Sequence, residues 1–508
     1  MRRAVLVLAL VASLGVAAPT PSRAGTTILT HGFALLATQP PSWIFSMGRA
    51  ILAAAGDPSG CGAIGGQAPL GTMFLYDPAT GGWNLECGST APNGEMVLVF
   101  NWTRESDGIN LGGTQGYAEA AADALCAALR DPVLPAAFAG QDLLAADVHF
   151  IGHSRGAVVN SDCVERLAAA DVAVDHVTTL DPHPVDGSLD FPLGSVDWGD
   201  ATPTVFTNVG FDDNYWRADN GGIGALDFDG MSVVGDIDLD LGNAIEGFGD
   251  LDPPLEHTEV HAWYHGTIDL TANDDGAGTN IDNELFTNWW GSGVPARDSA
   301  GFFHSAIVGG TRPAPVSGTA PAHDVFEIYN GDFEIVDTVT EPIGVGYAGW
   351  IHHGGDKSGT LIPWESADPP PGSTYYLTLF AGSNNRALTH NRMFVDGATT
   401  DIELSTRVFT SSPNDRFRLF LTDGVSDHQI ADVTLTATTP WTGVSFTVPT
   451  SITGKTHALR LEIDGGGDGV EAVVDIDNLR FAPEPSGSLL IGTGIAGLLL
   501  IGRRRIRA

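Results

Sequence analysis

Asp147-Val148-His149-Phe150-Ile151-Gly152-His153-Ser154-Arg155-Gly156 is the stretch that decides how this chain is read. Its first half is an apolar, strand-like run. Beyond it, Val158, Val159, Val164 and Leu167 recur at roughly helical spacing between Ala157 and Ala170. Glycines at 152 and 156 permit a sharp turn from strand to helix, lifting the Ser154 hydroxyl above the sheet edge against a helix N-terminus. A Gly-Ser turn with no chemistry is the plain alternative. The pentapeptide alone is a weak signal; its flanking strand and helix make it specific.

The same alternation extends from Thr26 to about Gly310. Apolar runs at Thr27 to Thr30, Met96 to Trp102, Val148 to Gly152, His176 to Leu180 and Val205 to Val209 predict strands. Helical patterns fall at Ser42 to Ala55, Gly116 to Arg130 and Ala157 to Ala170. In the second, Tyr117, Ala121, Leu125 and Leu129 make one apolar stripe. Strands alternating with helices imply a largely parallel sheet covered on both faces. With the Gly-x-Ser-x-Gly turn, residues 25–308 resemble a bacterial lipase-like α/β-hydrolase.

That resemblance implies a serine nucleophile, then an acid, then a histidine, in chain order. Ser154 is the expected nucleophile. Asp181 follows the His176 to Leu180 strand in a Thr-Leu-Asp-Pro that resembles the acid strand of the pancreatic-lipase group, with Asp212 or Asp213 as rivals. The plain alternative is an Asp capping a turn before proline. The segment Glu256-His257-Thr258-Glu259-Val260-His261-Ala262-Trp263-Tyr264-His265 resembles the stretch near the end of such domains that holds the base. It marks His257, expected on a loop after Asp252-Pro253-Pro254, with His261 as the alternative and His265 as structural. A metal at these histidines is disfavoured because the His-Glu-x-x-His arrangement is missing. The oxyanion hole is expected from the backbone N–H groups of Arg155 and of Phe33, which follows His31-Gly32 after the first strand. His31 is expected to support that loop, and Phe100-Asn101-Trp102 also resembles the family. No cofactor is expected for catalysis.

Two departures stand out. The chain after Ala24 starts almost at the His-Gly strand, so the two antiparallel strands that usually precede it are missing and a minimal sheet is expected. Arg155 is bulky and cationic, and its side chain is expected to alter which acyl groups fit. Asp236-Ile237-Asp238-Leu239-Asp240 looks like a calcium loop but has Leu241 where glycine is required, which favours a half-buried strand. The Gly/Asp-rich stretch from Ala218 to Pro254 reads as a lid or a surface excursion.

Residues 309–321, rich in Gly, Pro, Ser and Thr, read as a linker. In residues 322–482 short alternating runs at Tyr375 to Phe380, Phe417 to Leu421, Ala431 to Leu435 and Ala458 to Ile463 predict an all-β domain. Its ends, Asn330-Gly331-Asp332-Phe333-Glu334 and Val474-Asp475-Ile476-Asp477-Asn478-Leu479, resemble the galactose-binding-like jelly rolls of CenC-type carbohydrate-binding modules. This resemblance implies polysaccharide binding and a structural calcium to which Glu334 and Asp477 would contribute. Trp350, Trp364, Tyr375 and Trp441 are available to stack on sugars, though core positions are the commoner use of such residues.

Both ends of the chain look like sorting signals. Residues 1–24 combine Arg2-Arg3, an apolar run from Ala4 to Ala18 and a small-x-small site at Ser22-Arg23-Ala24, predicting a signal peptide cleaved before Gly25. Residues 483–508 open with Pro483-Glu484-Pro485, continue as an uncharged apolar run and finish in arginines; they resemble the PEP-CTERM tail of Gram-negative bacteria. That resemblance implies membrane retention and processing by an exosortase; a plain anchor is the alternative. The body is then expected outside the cell, at the outer surface or in the extracellular matrix. A net charge of −38 with only Lys357 and Lys455 as lysines argues against nucleic acid as a partner. Cys61 and Cys87 bracket a Gly-rich loop and can pair in an oxidising compartment. Cys126 and Cys163 read as small buried apolar residues.

The combined expectation is an exported serine hydrolase acting on carboxylic esters through an acyl-enzyme. The opposed reading is a catalytically inactive fold serving as a binding scaffold in a polysaccharide matrix.

Overall fold

The computed structural model describes residues 25–34, 37–57, 61, 70–88, 94–106, 118–185, 200–218, 229–245, 248, 256–272, 289–290, 296–331, 333, 336–337, 346–347, 350, 362–363, 373–374, 376–381, 386–410, 412, 414–435, 438–465 and 472–483. Residues 1–24 and 484–508, read above as sorting signals, lie outside these residues, as do Trp364, Tyr375 and Glu334. No described helix is long and apolar enough to cross a membrane.

The first sheet is built from β1 (Thr26–Thr30), β2 (Thr72–Asp77), β3 (Gly82–Gly88), β4 (Met96–Phe100), β5 (Val148–His153), β6 (His176–Leu180), β7 (Asp212–Trp216) and β8 (Ile237–Asp240). Their spatial order is β3-β2-β4-β1-β5-β6-β7-β8. Only the β2/β3 pairing is antiparallel. The expected minimal sheet is therefore wrong. A hairpin inserted after β1 extends the sheet beyond β4, and residues 237–240, expected in a lid or surface excursion, supply an eighth strand. The run from Val205 to Val209 is not the strand beside β6; it makes only isolated bridges, Val174 with Val209 and Phe206 with Thr319.

Helices α1 (Ser42–Ala54), α2 (Thr103–Ser106), α3 (Ala118–Arg130), α4 (Arg155–Ala169), α5 (Leu241–Ala244) and α6 (Glu256–Ile268) surround this sheet. Successive strand residues point to opposite faces, and the core is sorted accordingly. Ile28, Leu98 and Phe150 meet Leu125, Leu129, Val158 and Leu167 of α3 and α4. Leu29, Val97, Val99 and Ile151 meet Ile44, Met47, Val260 and Trp263 of α1 and α6.

A second sheet system follows. Short strands β9 (Val336–Asp337), β10 (Gly346–Tyr347) and β11 (Ile362–Pro363) lead into β12 (Leu377–Ala381), β13 (Arg386–Val395), β14 (Thr399–Thr410), β15 (Arg416–Thr422), β16 (Asp427–Thr434), β17 (Thr439–Thr447), β18 (Lys455–Asp464) and β19 (Ala472–Pro483). These form a five-stranded sheet, β11-β12-β19-β14-β17, and a four-stranded sheet, β13-β18-β15-β16. Leu379, Ile402, Leu404, Leu419, Leu461 and Ile476 from both sheets share one core, as in a β-sandwich. The two ends of this unit meet, because Leu479 N donates to Gly331 O at 2.8 Å and Phe481 N to Phe326 O at 2.9 Å.

Helix α3 joins the two systems. It does not present a single stripe: Ala120, Ala122, Ala124 and Ala127 are buried along with Ala121, Leu125 and Leu129. Its small side chains admit the sandwich on the far side. There Arg130 lies over the Phe394 ring and reaches Asp396, while Thr456 N donates to Asp131 and Thr456 Oγ1 to Ala127 O. The expected linker is docked as well. Arg312 pairs with Asp175, and Thr319 accepts a hydrogen bond from Thr207 N.

Cysteines 61 and 87 are bridged, and so, against expectation, are 126 and 163, which tie α3 to α4. That second bridge closes a loop of 37 residues in the unfolded chain. Cys163→Ala is expected to lower the unfolding free energy by about 2–4 kcal/mol in a urea titration.

Candidate active site

The turn from β5 to α4 forces Ser154 into an unusual backbone conformation, φ 58° and ψ −132°. Such strain costs of order 1–3 kcal/mol and persists only when its surroundings enforce it. Here they do. A Cβ on Gly156 would sit 2.3 Å from Thr30 O, so the start of α4 packs directly on the end of β1. A Cβ on Gly32 would lie 2.7 Å from Ser154 Oγ, so the loop after β1 passes against the serine. Phe33 follows on that loop, half-buried. The Arg155 amide is the first of the helix, where N–H groups have no acceptor within the helix and point toward its N-terminal end.

His31 props this loop from behind. Its ring Nδ1 lies 2.8 Å from Gly32 O, and its carbonyl accepts from Trp102 Nε1 at 2.7 Å. Burial lowers its pKa to about 4, so the ring is neutral at ordinary pH.

The register sets Ser154 beside Asp181. His153 pairs with Leu180 across the parallel β5/β6 ladder, and Ser154 N donates to Leu180 O at 2.9 Å. Asp181 is the next residue, fully buried at the rim. Its Oδ2 lies 2.6 Å from His257 Nδ1, and its Oδ1 accepts from Arg217 N at 3.0 Å. Burial pushes the Asp181 pKa up to about 6, opposed first by the Arg217 charge, whose Nε is 3.6 Å away.

His257 is not on a loop. It lies in the first turn of α6, because the Pro253-Pro254 stretch precedes a helix start rather than marking open loop. A second contact ties it to the Ser154 turn: the His257 carbonyl accepts a hydrogen bond from His153 Nε2 at 2.9 Å. Donation requires the Nε2–H form of His153. Burial, reinforced by the neighbouring His257, lowers its pKa to about 3, consistent with a neutral ring.

The alternatives lie elsewhere. His261, one turn on, is buried and stacked on Trp43 with ring centroids 4.3 Å apart. His265 is buried too. Asp213 pairs with Thr178 in mid-sheet, below the rim where Asp181 sits. It accepts from His176 Nε2 at 3.0 Å and Tyr215 OH at 3.1 Å, not from His257. Asp212 is engaged with the Asp236 amide at 2.8 Å. The expectation that the Arg155 side chain shapes an acyl site is corrected: it is buried, and both its Nε, at 2.6 Å, and its terminal nitrogen pair with buried Asp200.

In the sandwich, Trp350 is a core residue packed on Phe333, with its Nε1 donating to Asn330 O at 2.9 Å. Trp441 is half-buried beside Tyr376 and Arg407. Asp477 is buried, and its Oδ1 accepts from Asn478 N. Its expected calcium companion, Glu334, lies outside the described residues, among which no group of three or more acids, histidines or cysteines is gathered for a metal.

Sequence reasoning missed His153, His183, Asp200 and Arg217. His183 Nδ1 lies 2.7 Å from Asp229 O, and its ring is 6.0 Å from that of His257. His153 stood inside the pentapeptide and was legible as a neighbour; Arg217 carried no local signal.

No protein-family model matches the chain, and no curated protein matches it. Solved structures similar to part of it include carbohydrate-binding-module domains. TmCBM61, in complex with β-1,4-galactotriose, is 12% identical over 26% of this chain and 86% of its own, with a TM-score of 0.20. The K3 adhesin domain of Lys-gingipain from Porphyromonas gingivalis w83 is 11% identical over 25% and 92%, with a TM-score of 0.19. The secreted serine protease VesC from Vibrio cholerae is 6% identical over 21% of each chain, with a TM-score of 0.17, so the match spans about a fifth of that protein. Likenesses at these scores carry no weight for function.

Arg217→Met removes the charge that opposes protonation of Asp181. The Asp181 pKa is then expected to move upward, read from the pH dependence of the His257 ring NMR signals between pH 4 and 8.

Proposed function

We propose that residues 25–308 form an α/β-hydrolase and that the chain is an exported serine hydrolase of carboxylic esters. The observation that carries this reading is the 2.6 Å contact between His257 Nδ1 and Asp181 Oδ2, set beside a serine held at φ 58° on a strand-to-helix turn. With Nδ1 against the acid, His257 takes the Ser154 proton on Nε2 in this reading. The hydroxyl oxygen then attacks the acyl carbon, and the Phe33 and Arg155 amides receive the developing oxyanion. His257 returns the proton to the departing alcohol, and water, activated the same way, releases the acid from Ser154. Asp181 stays ionised throughout and holds the imidazole in one tautomer. These steps call for no cofactor.

Export follows from residues 1–24 read as a cleaved signal and residues 483–508 as a PEP-CTERM-like tail handled by an exosortase. The sandwich is proposed as a jelly roll that binds extracellular polysaccharide, with half-buried Trp441 the one of the four candidate aromatics that is described and lies outside the core.

A fluorophosphonate probe separates enzyme from inert scaffold. Stoichiometric labelling of the folded protein is expected, with none in Ser154→Ala; absence of labelling in the unmodified protein favours the scaffold. His257→Ala is expected to lower p-nitrophenyl ester turnover by roughly 10³-fold or more, and activity retained at half or better would move the base elsewhere. For the sandwich, the full Ser154→Ala chain is expected to be retained on at least one insoluble polysaccharide, with retention weakened by Trp441→Ala.

A further inference from the structure

We propose that removal of residues 1–24 turns the Gly25 nitrogen into a buried α-ammonium that serves as the counter-ion of Glu95. The inference rests on the export reading above and goes beyond it by giving the new terminus a partner.

Glu95 directly precedes β4 and is only 2% exposed. Its Oε2 accepts from Gly25 N at 2.9 Å, and its Oε1 from Thr27 Oγ1 at 2.7 Å. Asp147, His149 and Asp175 line the same small recess. None neutralises the glutamate. Asp147 has the same sign, and its carbonyl is taken by Thr26 N at 2.9 Å. Asp175 is paired with Arg312, and His149 Nε2 sits 2.9 Å from Thr178 Oγ1, its ring kept neutral by burial. Among the described residues no ion pair is recorded for Glu95. A carboxylate this deep without a cation is costly. Burial, with Asp147 adding to it, accordingly raises the Glu95 pKa to about 7 while Gly25 is still an amide.

Cleavage changes one atom's chemistry at this spot. Water adds across the Ala24–Gly25 bond, its hydroxyl going to the Ala24 carbonyl carbon and a proton to the Gly25 nitrogen. The resulting amine, with an ordinary pKa near 8, takes a further proton from solvent at neutral pH. A nitrogen already in hydrogen-bond contact with Glu95 thus acquires a full positive charge.

Sterics independently match the residue after the cut. A Cβ at position 25 would meet both Glu95 Oε2 and Asp147 O at 2.9 Å, so the recess closes around glycine. The small-x-small site Ser22-Arg23-Ala24 ends directly before it.

The pH signature follows. In the uncut chain the Glu95 pKa is raised on folding, so the unfolded state loses its proton first. Stability therefore falls as pH rises from about 4.5 to about 7. An ammonium at Gly25 opposes that loss until the amine itself is deprotonated, above roughly pH 8.

The test compares the chain beginning at Gly25, released from a fusion without extra residues, with the same chain preceded by Met-Ala. At pH 7 the extended chain is expected to melt roughly 2–4 °C lower. The gap should close toward pH 4.5 and again above pH 9. N-terminal acetylation of the Gly25 chain should reproduce the loss, and Glu95→Gln should erase the difference between the two chains. Equal melting at pH 7, or a gap that survives Glu95→Gln or is unaffected by acetylation, overturns the ion pair. Mass spectrometry of the exported protein tests the export reading separately: an N-terminus other than Gly25 overturns cleavage at this bond.

Discussion

Three neighbouring parallel strands end level with one another, and the site hangs on that alignment. Thr30 pairs with Gly152 and His153 with Leu180, so the loop after β1, the turn after β5 and the acid after β6 leave the sheet at one height. A register slip on any of them would turn its side chains to the other face. The core guards against this: Ile28 and Phe150 must face α3 and α4, while Leu29 and Ile151 must face α1 and α6. Hydrophobic sorting of the strands therefore fixes where Ser154 emerges relative to Asp181.

Electrostatics complete the arrangement. A chain with 62 acidic and only 24 basic residues still spends arginines inside. Arg155 is buried against Asp200, whose Oδ2 also accepts from Val185 N, tying the segment after β6 to the first turn of α4. Arg217 lies against Asp181 and opposes the rise in its pKa. Breaking such buried pairs is costly because the remaining charge stays in the interior. The positive charges thus brace the rim from beneath rather than facing a ligand.

Legibility in the sequence tracked how each element earns its burial. β4 is a continuous apolar run, and β1, β5 and β6 keep Ile, Leu, Val or Phe at enough positions to stand out. β7, Asp-Asp-Asn-Tyr-Trp, did not, because its polar side chains are satisfied by each other and by neighbours: Asp213 by His176, Thr178 and Tyr215, and Asn214 by Thr179. Nothing local announces such partners. The β2/β3 hairpin carried a signal, Thr72-Met73-Phe74-Leu75-Tyr76 followed by a turn at Pro78 to Gly81, that the expectation of a minimal sheet passed over. Within the site, chain order and local context point to Ser154, Asp181 and His257, and His257 and Asp181 are in contact. The residues that hold them, His153 and Arg217, come from tertiary packing. The second disulfide was missed for the same reason, since Cys126 and Cys163 become neighbours only when α3 and α4 pack.

Helix α3 touches both halves of the molecule, and its alanines leave no side that belongs to water. Removing the sandwich beyond the Pro-rich segment near residue 315 would bare an Ala-lined face and strip Arg130 of Asp396. That helix is also cross-linked to the one bearing Ser154. Any force that pulls on β13 or β18 therefore reaches the helix that supports Ser154 after crossing a single helix.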